Sequence, residues 1–132
     1  IKTALSGAVP LLNYYLKNNF LPGTFDRNWN SSDKYSCLTG NAQISLMWLE
    51  LYKITKNKKF LHASVKMNNY LKSKQFKKLP LVGINGAIAG SDPIYGDLLA
   101  NKGYCRLAYL SWATKFFIDA LLIEEKVRSE KT

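Results

Sequence analysis

The sequence predicts an all-α domain, and three observations support this prediction. Apolar residues recur every three or four positions over four long segments, which is the period of one helical face. Two other stretches have no such period and are rich in turn-forming residues, so we expect two long ordered loops. The 132 residues are 47% hydrophobic and 21% charged, which fits a single folded domain.

The first predicted helix spans residues 3–18. Pro10 interrupts its apolar pattern. Because a proline inside a helix removes a hydrogen bond, we expect either a kink at this position or a helix that begins near Val9. The stretch 24–36 that follows is rich in Asp, Asn and Ser and has no period, so it is the first predicted loop.

Two further helices are predicted at residues 41–56 and 59–74. Apolar residues cover nearly all sides of the first, which is typical of a helix enclosed by others, and Trp48 is expected in its core. The second has one lysine-rich polar face and is therefore expected on the outside. The short connection between them predicts an antiparallel helical hairpin.

The last predicted helix spans residues 106–125, after a second loop at 79–103 that is rich in glycine and proline. It is apolar on nearly every side, and Trp112 is expected to be part of the core. Such a helix needs an enclosing ring, whereas only four long helices are predicted. We therefore expect a C-terminal fragment of a longer protein, completed by upstream helices of the same chain or by a second copy in a homo-oligomer.

The strong positive charge does not by itself predict a nucleic-acid partner. The net charge is +10 and the pI is about 9.6, but lysines supply almost all of it and the only arginines are Arg27, Arg106 and Arg128. Phosphate and base recognition favours arginine, so a solvated lysine-rich surface is the preferred interpretation and no nucleic-acid binding is expected.

The sequence contains no uncharged apolar run of about 20 residues, so no membrane span is expected. Cys37 and Cys105 are too few to form a metal site alone, and we expect free thiols in a reducing, cytoplasmic compartment. One disulfide between them is the open alternative. No metal or cofactor is expected.

Three short motifs resemble the repeats of α/α-toroid proteins: Cys37-Leu-Thr-Gly-Asn-Ala-Gln43, Trp48-Leu-Glu-Leu-Tyr52 and Lys58-Lys-Phe60-Leu61. The stretch from Gly86 to Gly96, with the later Trp112-Ala-Thr-Lys115-Phe116-Phe117, looks like the closing part of a squalene-cyclase or prenyltransferase-like domain. The resemblance implies antiparallel helical hairpins forming part of a toroid. Similar domains are encoded among bacterial surface-polysaccharide genes, which implies a glycan-related role.

The catalytic motifs of that group are missing. The acidic D-x-D-D motif is absent, and the only histidine, His62, is predicted on an outer helix, so no zinc set can be matched. No catalytic residue is therefore carried over from the resemblance. Terpenoid or prenyl chemistry rests on fold analogy alone.

Candidate site residues come from the loops that precede enclosed helices, because in helical toroids these loops converge at one end. Carboxylates can perform acid and base steps on a sugar, and aromatic rings can stack on it. The candidate catalytic residues are Asp26, Asp33, Asp92 and Tyr95. The candidate binding residues are Arg27, Trp29, Tyr35, Asn41, Gln43, Asp97 and Tyr104.

These residues predict a glycan-processing domain that acts as a lyase, hydrolase or epimerase, with a carbohydrate as its ligand. The alternative is a non-catalytic α/α module that binds a glycan or a partner protein, because loop Asp and Asn residues are also ordinary turn formers and helix caps. The enzyme hypothesis requires the two loops to lie at the same end of the molecule.

Overall fold

The computed structural model describes residues 2–77 and 82–130, and most of that part of the chain is helical. The prediction of a mainly helical domain is confirmed, with the addition of one very small sheet. The elements in chain order are α1 (Lys2–Asn18), β1 (Ser36–Cys37), α2 (Leu38–Thr55), α3 (Lys58–Lys74), a 3-10 turn (Val82–Ile84), β2 (Ser91–Asp92) and α4 (Ser111–Ser129).

Helix α1 runs through Pro10 without a break, so the predicted later start near Val9 is wrong. Its buried face consists of Ala8, Leu12 and Tyr15. The helix ends where Asn19 turns to a positive φ of 55° and donates its backbone N–H to the Tyr15 carbonyl. This is a common way to terminate a helix.

Helix α2 forms the centre of the core. It begins at Leu38, earlier than predicted, because the Cys37 side chain acts as its cap and accepts a hydrogen bond from the Gly40 N–H. Trp48 has no exposed surface, which confirms its predicted place in the core. Its indole N–H points to the Ala8 carbonyl of α1 at 3.4 Å, so the ring joins the two helices.

Helix α3 follows after only two residues and buries Phe60, Met67 and Leu71 while its lysines lie in solvent. A polar network crosses the interior from α2 through α3 to α4. Ser45 donates to Asn68 at 2.6 Å, and Asn68 donates to the Glu124 carboxylate at 2.7 Å. Both contacts are buried, so they fix the relative position of the three helices.

Helix α4 differs most from its prediction. Residues 106–110 are a loop, because Leu107 adopts a positive φ of 58° and its backbone N–H donates to the Ile94 carbonyl. Trp112 is 46% exposed, so its predicted place in the core is wrong. Ile118 and Leu122 are also exposed, so the described part of the chain does not enclose α4 on all sides. Only the face with Ala113, Phe117, Ala120, Glu124 and Val127 is buried.

Strands β1 and β2 pair antiparallel, with Ser36 opposite Asp92 and Cys37 opposite Ser91. This pairing places the loop before α2 beside the loop before α4, at one end of the molecule. Within the described ranges, no helix combines the length and the apolar run needed to cross a bilayer.

Candidate functional site

A cleft of about 520 Å³ lies between the two long loops. We call it the loop cleft. The ring of Phe25 forms an apolar part of its wall. The polar residues that line it are Thr24, Asp26, Asn30, Ser31, Ser32, Asp33 and Lys102.

Asp33 lies at the centre of the contacts in the loop cleft. Its carboxylate accepts hydrogen bonds from the Thr24 hydroxyl at 2.5 Å and from Lys102 Nζ at 2.8 Å, and its side chain is only 1% exposed. Desolvation alone raises the pKa of this carboxyl, but the hydrogen bonds from Lys102 and Thr24 outweigh it and the pKa is lowered overall. Asp33 is therefore an ionised acceptor at neutral pH.

Asp26 holds the shape of its own loop. One carboxylate oxygen accepts the backbone N–H groups of Asn28 and Asn30, each at 2.8 Å. These hydrogen bonds, led by the one from Asn30, lower the pKa of the Asp26 carboxyl. The residue is exposed, and its bonds make the turn that presents Trp29, whose φ is 62°.

An aromatic group borders the loop cleft. The rings of Phe25 and Trp29 are 5.8 Å apart between centroids, and Phe25 also meets the Tyr14 ring of α1 at 5.0 Å. Trp29 is 37% exposed and is joined to the wall of the cleft through its contact with Phe25. This combination suits a ligand that has both hydroxyl groups and an apolar face.

Asp92 and Tyr95 do not belong to the loop cleft. Asp92 accepts a hydrogen bond from the Tyr70 hydroxyl at 2.5 Å and forms an ion pair with Lys74 at 2.8 Å. Burial and the neighbouring Asp92 carboxylate both raise the pKa of Tyr70, which keeps the phenol protonated and donating. Tyr95 is 47% exposed and follows β2 at the start of a hairpin-like excursion.

The predicted binding residues fall into two groups. Tyr35 and Asn41 have internal roles: Tyr35 is buried against Gly23, and Asn41 donates to the Ser36 hydroxyl, which in turn donates to the Leu21 carbonyl. The solvent-accessible members lie on three different segments. Arg27 and Trp29 are on the first loop, Gln43 is on α2, and Asp97 and Tyr104 are on the second loop.

Sequence reasoning did not select Thr24, Lys102, Tyr70 or Lys74. The last two share one face of α3 at a spacing of four residues, a signal that the sequence does contain. Lys102 carried no such signal, because its partner Asp33 is 69 positions away in the chain. Thr24 lies at the start of the first loop, and no sequence pattern distinguishes it there.

A second cleft of about 710 Å³ lies between residues 83–87 and the start of α4. It is larger than the loop cleft, but its two charged groups, Lys115 and Asp119, pair with each other at 2.5 Å. Polar residues form half of its lining and nearly all of the lining of the loop cleft, so we regard the loop cleft as the candidate site. Across residues 2–77 and 82–130, no group of three or more His, Cys, Asp or Glu side chains is arranged to hold a metal ion.

Comparison with protein-family models, with curated proteins and with solved structures finds no match to this chain. The class that the fold and the cleft define is a small helical domain with a polar, aromatic-bordered cleft between two loops. Function therefore has to be inferred from the cleft itself.

Proposed function

We propose that this chain is a helical carbohydrate-binding module and that the loop cleft is its sugar site. One observation carries the proposal: the exposed Asp26 carboxylate and the cationic Lys102 lie in one cleft, and the Phe25 ring in its wall packs against the partly exposed Trp29 ring. A carboxylate accepts hydrogen bonds from sugar hydroxyls, an ammonium group donates to ring and hydroxyl oxygens, and an indole face packs on the C–H face of a pyranose.

Binding is favoured over turnover because of the protonation state of the cleft. A general acid needs a raised pKa so that it carries a proton at neutral pH. The pKa values of Asp26 and Asp33 are both lowered, and both carboxylates already accept intramolecular hydrogen bonds. Neither described carboxyl of the loop cleft is therefore a proton donor.

A glycan-processing activity, as lyase, hydrolase or epimerase, is the second candidate. The observation in its favour is that two carboxylates, Asp26 and Asp33, line the same cleft. Release of reducing ends or of unsaturated products from polysaccharides by the unmodified chain, abolished in Asp33→Asn, would establish turnover and replace the binding proposal. Terpenoid or prenyl chemistry gains no support from a cleft with so many polar groups.

The toroid of helical hairpins is part of the proposed architecture. What supports it is the exposed apolar face of α4, formed by Trp112, Ile118 and Leu122, which further helices or a second copy would cover. We also propose a reducing, cytoplasmic location, in keeping with the two free thiols of Cys37 and Cys105.

The sugar site is tested by two-dimensional amide NMR of the labelled chain with a panel of neutral, acidic and amino monosaccharides and disaccharides. We expect saturable shifts for residues of the first loop and around Lys102. Trp29→Ala should weaken binding by about fivefold or more, since stacking on one ring contributes on the order of 1 kcal/mol or more. The dissociation constant is read from the titration.

Trp112→Ala is the matched control, because Trp112 is comparably exposed but lies on α4 outside the loop cleft. It should bind sugar like the unmodified chain. The proposal fails if no sugar in the panel produces saturable shifts, or if both tryptophan variants weaken binding equally. Circular dichroism of each variant establishes that the helices are intact.

A further inference from the structure

The second loop contains a hairpin with an apolar tip, formed by residues 94–107, which we call the leucine hairpin. At its base the Leu107 N–H donates to the Ile94 carbonyl at 2.8 Å. Near its tip Asp97 and Lys102 exchange two backbone hydrogen bonds of 2.7 and 3.0 Å. The four residues 98–101 close the turn.

The tip has a defined shape. The Asp97 carboxylate accepts the Ala100 N–H at 3.0 Å, and Asn101 takes a positive φ of 53°. Lys102 anchors the hairpin to the first loop through Asp33. Several independent contacts therefore hold the turn residues of the hairpin in place.

Apolar side chains cover the tip and lie in solvent. Leu98 is 65% exposed and Leu99 is 94% exposed. Leu107, at the base, is 74% exposed. Consecutive leucines on a braced turn leave a large apolar area in water, and removing that area from water is favourable.

Below the tip, the legs of the hairpin present aromatic and cationic side chains. Tyr95 and Tyr104 lie on the two legs and are 47% and 39% exposed. The aliphatic carbons of Arg106 lie against Gly96 and Gly103, next to the Asp97–Lys102 pairing. Tyr and long cationic side chains are favoured at the interface of a bilayer, beside the hydrocarbon edge that apolar side chains enter.

Charge favours an anionic surface as the occupant. The chain carries a net charge of +10, and the single acid of the leucine hairpin, Asp97, is already bonded to a backbone N–H. Two leucine hairpins that met tip to tip would bring Lys102 and Arg106 of both copies together and repel. Anionic lipid headgroups attract the same side chains.

We propose that the leucine hairpin inserts its tip into the surface of a bilayer that contains anionic lipid, and so holds the chain peripherally on the membrane. Leu98 and Leu99 enter the acyl boundary, Tyr95 and Tyr104 lie at the level of the headgroups, and Arg106 faces the phosphates. This proposal does not rest on the proposed sugar site, although Lys102 belongs to both surfaces.

The test is co-sedimentation of the whole chain with phosphatidylcholine vesicles, with and without a minor fraction of phosphatidylglycerol. We expect binding to the mixed vesicles and much weaker binding to phosphatidylcholine alone. The double variant Leu98→Ser/Leu99→Ser should lower the partition coefficient by about tenfold or more, because apolar insertion scales with the area buried. Both leucines are exposed, so the variant keeps its helical circular dichroism spectrum.

Ile118→Ser/Leu122→Ser is the matched control, since these two residues are 50% and 59% exposed on α4, away from the leucine hairpin. It should bind vesicles like the unmodified chain. Equal binding by the leucine and control variants overturns the proposal, as does the absence of binding to phosphatidylglycerol vesicles. Concentration-dependent dimers in sedimentation velocity that disappear in the leucine variant would assign the tip to a second copy and also overturn it.

Discussion

Lys102 Nζ lies 2.8 Å from Oδ1 of Asp33 and joins two loops whose paired residues are 69 positions apart in the chain. The carboxylate is buried, whereas the side chain of its partner is 49% exposed. This contact places the loop cleft and the leucine hairpin side by side, because Lys102 belongs to both. The stability of the Asp33–Lys102 ion pair therefore matters for both proposals.

Asp33→Asn should destabilise the fold at neutral pH by about 1.5–3 kcal/mol, since it weakens hydrogen bonds made to a charged, buried acceptor. The pKa of Asp33 is lowered in the folded chain. The stability that ionised Asp33 contributes is therefore fully present above the unfolded pKa of about 4, and it is lost as the pH falls through the lower folded pKa. Urea denaturation at a series of pH values measures this.

The unmodified chain should lose more stability on acidification than Asp33→Asn does. Asp119→Asn is the control, because Asp119 pairs with Lys115 on the surface of α4 and should leave the pH dependence close to that of the unmodified chain. Parallel acid dependences for all three proteins would show that the Asp33 contact contributes nothing to folding.

Gly90→Ala and Gly7→Ala should have opposite effects. A Cβ at Gly90 would collide with the Tyr104 carbonyl and lie 2.8 Å from the Cys105 carbonyl, both backbone atoms that cannot turn away. We expect a loss of about 1–3 kcal/mol. At Gly7, inside α1, nothing lies within 4 Å of an added Cβ, so alanine should stabilise by about 0.5–1 kcal/mol. Thermal unfolding of both variants measures these changes in stability. If Gly90→Ala stabilised the chain, the backbone of the second loop could not approach itself as closely as the structure shows.

Asn68→Asp tests the polar network between α2, α3 and α4. The change replaces an amide that donates to Glu124 with a second buried carboxyl, so two acids would face each other at the former hydrogen bond. We expect a loss of about 2 kcal/mol or more at neutral pH. The new carboxyl should have a raised pKa, so part of the stability returns as the pH falls through that value and the group takes up a proton.

Asn69→Asp provides the comparison for this prediction, since Asn69 is the next residue of α3 and is exposed. It should change the free energy of unfolding by less than about 0.5 kcal/mol. If both aspartate variants behave alike in urea denaturation at neutral and acidic pH, the network does not link the helices.

The two cysteines should differ in reactivity. Burial raises the pKa of the Cys37 thiol, and the hydrogen bonds from the Gly40 and Thr39 N–H groups do not reverse this. Cys105 is exposed. Alkylation by iodoacetamide at mildly alkaline pH should therefore modify Cys105 about tenfold faster or more, because the thiolate is the nucleophile and must be accessible.

Site-specific mass spectrometry after timed quenching gives the two alkylation rates. In urea the rates should become similar, which controls for intrinsic differences between the peptides. A faster reaction at Cys37 in the folded chain would mean that the cap of α2 opens readily. Resistance of both residues, reversed by a reductant, would reveal a disulfide.

The presence of the helices could be predicted from the sequence, because the spacing of apolar residues along a helix is a local signal. The start of α2 was misplaced because Cys37 is an uncommon cap. The start of α4 was misplaced for a different reason. Leu107 and Leu110 continue the apolar period, but the backbone of residues 107–110 bonds to residues 88–94, a pairing that no local pattern shows.

The residue types of the candidate site could be predicted from the sequence, but the contacts among those residues could not. The loops were predicted to converge, and they do, through β1 and β2 and through Lys102. Asp92, however, is bonded to Tyr70 and Lys74 of α3 instead of lining the loop cleft, since β2 brings it against that helix. Trp112 looked like a core residue because its neighbours are apolar, yet only one side of α4 is covered.

The sheet between the loops consists of only two residue pairs, Ser36 with Asp92 and Cys37 with Ser91. A continuous apolar core holds the helices around Trp48 together, whereas the loop end is held by this two-pair ladder and the Asp33 contact. Opening the loop end therefore costs less than global unfolding, and its amide protons should exchange with solvent first. We therefore expect the loop end to open before the helices do, and both proposed binding surfaces belong to that end.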